Sequence, residues 1–548
     1  MHGLMMDSQL TITSIMQHAD RNYPNSEIVS VTTDNPRHSY TYAEAFKRTR
    51  KLASALTHYG IKQGDRVGTL AWNDYRHFEL YYAVSCIGAI THMINPRLSH
   101  DQITFIINHA EDRLIFVDPL IIPVLEKIKD NIKHVESIVI LSDIEHMPET
   151  SLTNVQCYES FIRDGDEDFE WPLLDENAAS GLCYTSGTTG NPKGVLYSHR
   201  AIVLHSLVKI APDIFNFSIR EVIMPIVPMF HVNAWGIPFS APLVGAKLVF
   251  PGSKMGDGET LQKLIEGEGV TFSAGVPTVW LTLLKYLEKS AKTVKSLRSV
   301  ISGGAACPLS IIVDFREKHN VDVHHAWGMT EMTPLGTVNT LKPEMENLSA
   351  DELDQLKLKQ GRFVYGVEMK VVDENNNELP WDGKSMGLLK VRGPWISCNY
   401  YKMEGEDDAY DKDGWFSTGD VVTIDEDGYM QITDRSKDVI KSGGEWISSI
   451  ELENIAQGNP KVAEAAVISV NHPKWSERPL LIVVKKNNED VTKEELLDWM
   501  KQKIPKKIPK WWLPDDVQFI DQIPHTVTGK IQKMELRKLF KDYKLPSS

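Results

Sequence analysis

Apolar positions along this chain follow two alternating periods. Residues 41–44, Thr-Tyr-Ala-Glu, set a hydroxyl and a carboxylate three positions apart, the spacing of a capping box. The amphipathic stretch it opens runs to about Tyr59, where Gly60 stops it. Residues 66–72 read as a strand, 76–87 as a helix, 89–94 as a strand, 101–109 as a helix and 113–118 as a strand. The pattern recurs around 199–209, 222–227, 246–250, 259–268, 271–274, 277–288 and 298–303. Strands alternating with helices predict parallel sheet with crossover helices.

Beyond about residue 360 the texture changes to short β-like runs, such as 369–373 and 387–391. Asp413-Gly414 and Asp427-Gly428 are turn signals on either side of a strand-like run at 420–424. After Asp434 an α+β pattern begins: helices near 449–457 and 493–503, strands near 463–470 and 479–485. The expected fold is therefore α/β. A large N-terminal domain, 1–434, would hold parallel and mixed sheets with flanking helices and a β-barrel-like subdomain. A small mobile C-terminal α+β domain, 435–548, would follow.

Composition narrows the class. At 548 residues the chain is too long for one compact domain, and 42% hydrophobic with 24% charged residues is ordinary for a globular protein. A net charge of −15 argues against general nucleic-acid binding, though not against an anionic small molecule. Cys86, Cys157, Cys183, Cys307 and Cys398 are scattered, with no Cys-x-x-Cys pair, so neither zinc nor a disulfide framework is indicated. No secretory signal and no 18-residue apolar run is visible. A cytoplasmic location is expected.

The strongest chemical signal is residues 184–194, Tyr-Thr-Ser-Gly-Thr-Thr-Gly-Asn-Pro-Lys-Gly, set between two apolar runs. Converging N–H groups of a glycine loop, the hydroxyls of Thr185, Ser186, Thr188 and Thr189 and the charge of Lys193 make a nest for phosphate oxygens. Pro192 stiffens the loop. The Walker spacing is absent, which points to a nucleotide-phosphate loop of another class; a bare run of this kind is otherwise a flexible polar loop. Ser302-Gly303-Gly304-Ala305-Ala306 follows an apolar strand and reads either as a backbone surface for a flat ring or as a tight turn. In His324-His325-Ala326-Trp327-Gly328-Met329-Thr330-Glu331, a carboxylate at a strand end beside phosphates suits Mg²⁺. The two histidines lack a third ligand at zinc spacing and read as packing or hydrogen-bonding residues. Asp420, closing Gly414-Trp-Phe-Ser-Thr-Gly-Asp420, is a carboxylate able to accept from vicinal ribose hydroxyls. Residues 434–448 combine charge with Gly443-Gly444, the makings of a hinge with a ligand-facing loop. Lys530, in Pro524-His-Thr-Val-Thr-Gly-Lys530, can act as a point charge or be a solvated lysine. Residues 228–236, Pro-Met-Phe-His-Val-Asn-Ala-Trp-Gly, are an apolar run around His231, a pocket wall or plain helix core.

Apart from 228–236, these segments stand in this order over about 350 residues and resemble the signatures of the adenylate-forming superfamily. They are most similar to bacterial medium- and long-chain fatty acid–CoA ligases, including the clade with 3-methylmercaptopropionate–CoA ligases. The resemblance implies ATP, Mg²⁺ and coenzyme A, a carboxylic acid substrate and two half-reactions: acyl-adenylate formation, then transfer to CoA. It implies nucleotide contacts at Thr185, Ser186, Gly187, Thr188, Thr189, Gly190, Lys193, Gly303, Gly304, His325, Ala326, Trp327, Gly328, Thr330, Asp420 and Arg435. It places metal ligation at Thr185 and Glu331, a hinge at Lys437, and a thioester-step loop at Lys441, Gly443, Gly444, Glu445 and Trp446. It assigns catalysis to Lys530, His231 and Glu331, and an acyl pocket to His231, Val232, Trp235 and Gly303. A homodimer is implied as well. Lys501, Lys503, Lys506, Lys507 and Lys510 form a basic run, read as a solvated face or, less readily, as an attractor of CoA phosphates. Cys183 and Cys307 have no task in this chemistry and read as packing residues. The other readings are a luciferase-type or peptide-synthetase adenylation enzyme and a nucleotide-binding regulatory protein. An ending in Leu-Pro-Ser-Ser, with 18 residues after Lys530, speaks against the first two.

Overall fold

The capping box at Thr41 forms: its hydroxyl accepts the N–H of Glu44, and the Glu44 carboxylate accepts the N–H of Thr41. Helix Tyr42–Tyr59 follows and ends at Gly60, which takes φ 98°, a conformation that costs a residue without Cβ little. The computed structural model describes all residues except 2, 186–190, 404–407, 444, 487–488, 505–507, 526–530 and 547–548, with the side chain of 346 also left out.

The chain forms two compact units, residues 1–367 with 392–416, and residues 368–391 with 417–548. The first is built on two large sheets. One has seven strands in the order Val155–Cys157, Ser137–Ile140, Asp112–Val117, Arg66–Leu70, Ile90–Met93, Ala179–Thr185 and Lys193–Ser198. All neighbours are parallel except the last pair, an antiparallel hairpin. The other has nine, in the order Arg362–Phe363, Leu335–Val338, Asp322–Gly328, Ser299–Ser302, Phe272–Gly275, Val222–Pro225, Lys247–Phe250, Glu27–Ser30 and His38–Thr41. Its interior pairs are parallel, and antiparallel strands finish both ends. Parallel strands inside the sheets, such as Ile90–Met93 and Phe272–Gly275, are buried throughout, because crossover helices cover both faces. This is the expected α/β arrangement.

One local expectation shifts. The strand predicted at 66–72 ends at Leu70, because Asp74 accepts the N–H of His77 and caps the next helix, Tyr75–Cys86. The elements before residue 41, helix Ile12–Asn22 and strands Glu27–Ser30 and His38–Thr41, carry no spacing strong enough to have been read.

The second unit holds a four-stranded sheet, Glu368–Val372, Gly387–Arg392, Phe416–Ile424 and Met430–Arg435. It also holds a five-stranded sheet with helices Ser449–Gln457, Lys493–Lys503 and Lys533–Leu539. The hairpin Val462–His472 with Ser476–Lys485 is the longest pairing of that sheet, and its Val467 and Leu481 share a core with Leu452, Leu496 and Val517.

Candidate active site

The hairpin at the edge of the seven-stranded sheet pairs Tyr184 with Gly194 and Thr185 with Lys193. The residues of the glycine loop it carries, Ser186, Gly187, Thr188, Thr189 and Gly190, lie outside the described residues. The Lys193 ammonium lies 4.6 Å from the centre of the Tyr400 ring, a cation–π contact. The N–H of Tyr401 donates to the Gly194 carbonyl at 2.8 Å. The Tyr400 hydroxyl donates to Glu331 Oε1 at 2.8 Å, and the N–H of Ser397 donates to the Glu331 carbonyl at 2.8 Å. From the hairpin itself, the Tyr197 hydroxyl donates to the Thr330 carbonyl at 2.8 Å. Loop base and Thr330-Glu331 segment are thus tied together twice.

That segment follows strand Asp322–Gly328, which runs parallel to Ser299–Ser302 with Ser302 opposite His325. Both strands deliver their carboxyl ends to one edge of the sheet, where open α/β sheets bind ligands. Gly303 is there for proximity: a Cβ on it would stand 2.8 Å from the Trp235 ring and 3.0 Å from the Ala326 carbonyl. Gly304, at φ 78°, and Gly328 are exposed, while Ala326 and Trp327 are buried. Trp327 fills the space that Gly336 leaves by having no side chain. The ring of His325 turns inward, Nδ1 standing 3.0 Å from the Leu358 carbonyl, and burial lowers its pKa to about 4. Any nucleotide contact at His325 therefore belongs to its main chain. His324 is similarly engaged, with Asn339 and Asp322, in keeping with the packing role expected of the pair.

The run expected as pocket wall or helix core is not plain helix. Val232, Asn233, Ala234, Trp235 and Gly236 all have positive φ, at 47°, 56°, 48°, 53° and 70°, making a left-handed turn before helix Ile237–Val244. Each non-glycine residue held this way costs roughly 1–2 kcal/mol, and a β-branched residue such as Val232 is rarely found there. The turn is anchored by the carbonyl of Pro228, which accepts the N–H groups of His231 and Ala234 at 3.1 and 3.3 Å. Its side chains divide: Val232, Asn233 and Ala234 are buried, while His231 and Trp235 stay partly exposed, Trp235 against Gly303. Strain of this kind persists where the surroundings impose it, often at ligand sites.

In the second unit, Asp420 and Arg435 are cross-strand partners. Arg435 Nε lies 2.9 Å from Asp420 Oδ1, and the carboxylate is buried. Lys437 and Lys441 are exposed, Lys441 5.7 Å from the Trp446 ring centre and paired with Glu374. Gly444 and Lys530 lie outside the described residues.

The donor set at Glu331 and Thr185 is all oxygen, a buried carboxylate and a partly exposed hydroxyl, which suits Mg²⁺. Cys183 and Cys307 are buried, and burial pushes their thiols up to about 12 and about 11, in keeping with the packing role expected of them. Sequence reasoning missed Tyr400 and Tyr197. Tyr197 sits in an ordinary apolar run and Tyr400 in a loop, so spacing alone carried no signal for either.

A family model described as AMP-binding enzyme matches residues 16–401, and one described as AMP-binding enzyme C-terminal domain matches 451–530. The chain is 49% identical to a 3-methylmercaptopropionyl-CoA ligase of Ruegeria lacuscaerulensis, covering 99% of each. It is 47% identical to a medium-chain-fatty-acid–CoA ligase of Ectopseudomonas oleovorans, over 100% of this chain and 99% of that one. It is 44% identical to a long-chain-fatty-acid–CoA ligase of Thermus thermophilus, over 98% and 97%. Among solved structures, ATP-bound MatB from Rhodopseudomonas palustris has the same fold at TM-score 0.80 and 24% identity, over 97% of this chain and all of that one. With a glycine loop based on Lys193, a buried acidic residue at a strand end and both family models matched in order, the chain belongs to the AMP-binding enzyme family.

Proposed function

We propose that this chain is an AMP-forming acyl-CoA ligase that joins a carboxylic acid to CoA through an acyl-adenylate. The observation that carries the reading is the contact of Lys193 and Glu331 with one tyrosine, Tyr400, at the base of the glycine loop. In the first step a carboxylate oxygen attacks the α-phosphorus of ATP, and the bond to the β-phosphate breaks to release diphosphate. Two anions meet, so electrostatic stabilisation dominates the barrier. Lys193 and the loop 185–190 would hold the leaving phosphates, and Lys530 would supply positive charge between carboxylate and α-phosphate. Glu331 and Thr185 would hold Mg²⁺, which when bound offsets phosphate charge. Gly303, Gly304, Ala326, Trp327, Gly328, Thr330 and the main chain of His325 would form the adenine side, with Asp420 and Arg435 toward the ribose. In the second step the CoA sulfur attacks the acyl carbon, its proton is lost and AMP leaves. Lys437 is the proposed hinge between domains 1–434 and 435–548, and Lys441 and Trp446 the loop of this second step.

His231, Val232, Trp235 and Gly303 are proposed to line the acid's site. The Trp235 ring against Gly303 narrows it, which favours a short- or medium-chain acid. The identity to a 3-methylmercaptopropionyl-CoA ligase supports that small thioether acid as the alternative substrate. A homodimer and a cytoplasmic location complete the proposal; none of the described helices is long and apolar enough to cross a membrane. The test is CoA-dependent AMP formation with acids from acetate to palmitate and with 3-methylmercaptopropionate. Diphosphate release with acid alone, and AMP release only when CoA is added, is the expected result. ATP binding without acid-dependent diphosphate release would point to a nucleotide-binding regulator.

A further inference from the structure

Lys209 closes helix His199–Lys209 with a side chain that is entirely buried. No carboxylate pairs with it among the described residues; its Nζ donates to the Trp235 carbonyl at 2.6 Å. Burying an amine without a counter-charge is costly, and a leucine or methionine would fill the space with no such cost. Burial also holds its pKa well below the ordinary lysine value. One turn earlier on the same face stands His205, fully buried, whose Nε2 accepts the N–H of Leu335 at 3.2 Å. Leu335 follows the segment that carries Thr330 and Glu331. Both side chains occupy the space opened by Gly236: a Cβ there would stand 2.7 Å from Lys209 Nζ and 3.1 Å from the His205 ring. One helix face therefore grips the left-handed turn with one residue and the Glu331 segment with the other.

We infer that Lys209, with His205, is a positioning residue that fixes the turn carrying Trp235 relative to the segment carrying Glu331, and so sets which acid is accepted. The inference rests on the proposed placement of Trp235 at the acid's site. Without the amine, the Trp235 carbonyl loses its donor, and the strained turn can relax to ordinary backbone. Trp235 would then shift on Gly303.

The test uses the full-length enzyme and acid-dependent ATP–diphosphate exchange, with KM measured separately for acid and for ATP. In Lys209→Met the KM for the best acid should rise about tenfold, the scale of one hydrogen bond made by a charged or polar donor. The ranking of acids should move toward that of Trp235→Ala, and the KM for ATP should stay within about twofold. Lys209→Gln, which keeps an N–H donor, should recover part of the loss. Gly236→Ala, which pushes the amine off the carbonyl, should act in the same direction as Lys209→Met. In a Trp235→Ala background, Lys209→Met should add nothing. A folded Lys209→Met with unchanged acid KM and ranking overturns the inference, as does an effect that persists undiminished in the Trp235→Ala background. Recovery of neither Lys209→Met nor Gly236→Ala as folded protein also counts against it, since the pair would then serve folding alone. Absence of exchange by the wild type with every acid would instead overturn the ligase reading. A wild type that exchanges, with Trp235→Ala shifted and Lys209→Met not, overturns only the role of Lys209.

Discussion

Tyr400 donates its hydroxyl to Glu331 across 2.8 Å while its ring faces the Lys193 ammonium at 4.6 Å. One side chain thus orients the carboxylate proposed for the metal and the lysine proposed for the phosphates. Tyr400→Phe keeps the ring and removes the donor. The Mg²⁺ concentration for half-maximal activity should rise about 10- to 100-fold, as for loss of an outer partner of a metal ligand. The unfolding midpoint should barely move. An unchanged Mg²⁺ requirement would remove Tyr400 from the site.

Lys530→Ala should lower acyl-adenylate formation by about 10²–10³, the effect of removing one donor aimed at developing charge. Hydroxylamine trapping of the activated acid measures this without CoA. Near-normal trapping would transfer the role to another cation.

Stability should fall as pH drops from about 6.5 toward 4. Burial holds His77, His199 and His325 at about 4 and His205 well below its ordinary value; the Ile12 N–H donates to His199 Nδ1, which protonation would block. Unfolded, these rings take up protons near 6.5, so in that window the unfolded chain binds more protons and acid favours it. Asp74 and Asp118, raised by burial to about 6 and about 7, act in the opposite sense: their contribution is present at acid pH and is lost as pH rises through those values. Glu79, Asp112, Asp434 and Glu453, also raised by burial, act with them, while His38, His109, His319 and His324, also lowered by burial, join the other four; among the described residues the histidines remain the more numerous. Urea midpoints at pH 7.5, 6 and 5 should decline in that order, and His199→Gln should flatten the decline. A midpoint that rises toward pH 5 would mean the carboxylates dominate.

The basic run spends part of its charge locally. Lys501 pairs with Asp498 at 3.0 Å, and Lys503 lies 5.1 Å from the Trp499 ring centre. The combined Lys501→Glu, Lys503→Glu and Lys510→Glu variant should change the KM for CoA by less than about twofold, as expected of a solvated face whose charges are engaged locally. A larger rise, with acid-dependent exchange unaltered, would put CoA phosphates on that face.

What the sequence disclosed was local or periodic. Thr41 and Glu44 announce a helix start because capping chemistry lies within four residues. Helix Ser449–Gln457 and strands Phe272–Gly275 and Ser299–Ser302 follow from spacing in the same way. The Thr330-Glu331 segment was legible because glycine, hydroxyl and carboxylate fall together. The left-handed turn was not: Val232, Asn233, Ala234 and Trp235 have no local preference for positive φ as a set, and what holds them includes Lys209, 26 positions earlier. Tyr400 was illegible for the same reason, its partners Lys193 and Glu331 lying far away in sequence.

The pairing of Thr185 with Lys193 also sets a rule of tolerance. Directly paired residues of an antiparallel ladder put their side chains on the same face, so a register slip of one residue in this hairpin would turn Lys193 to the other face. Such a slip would part the lysine from Tyr400 while leaving every residue of the site present.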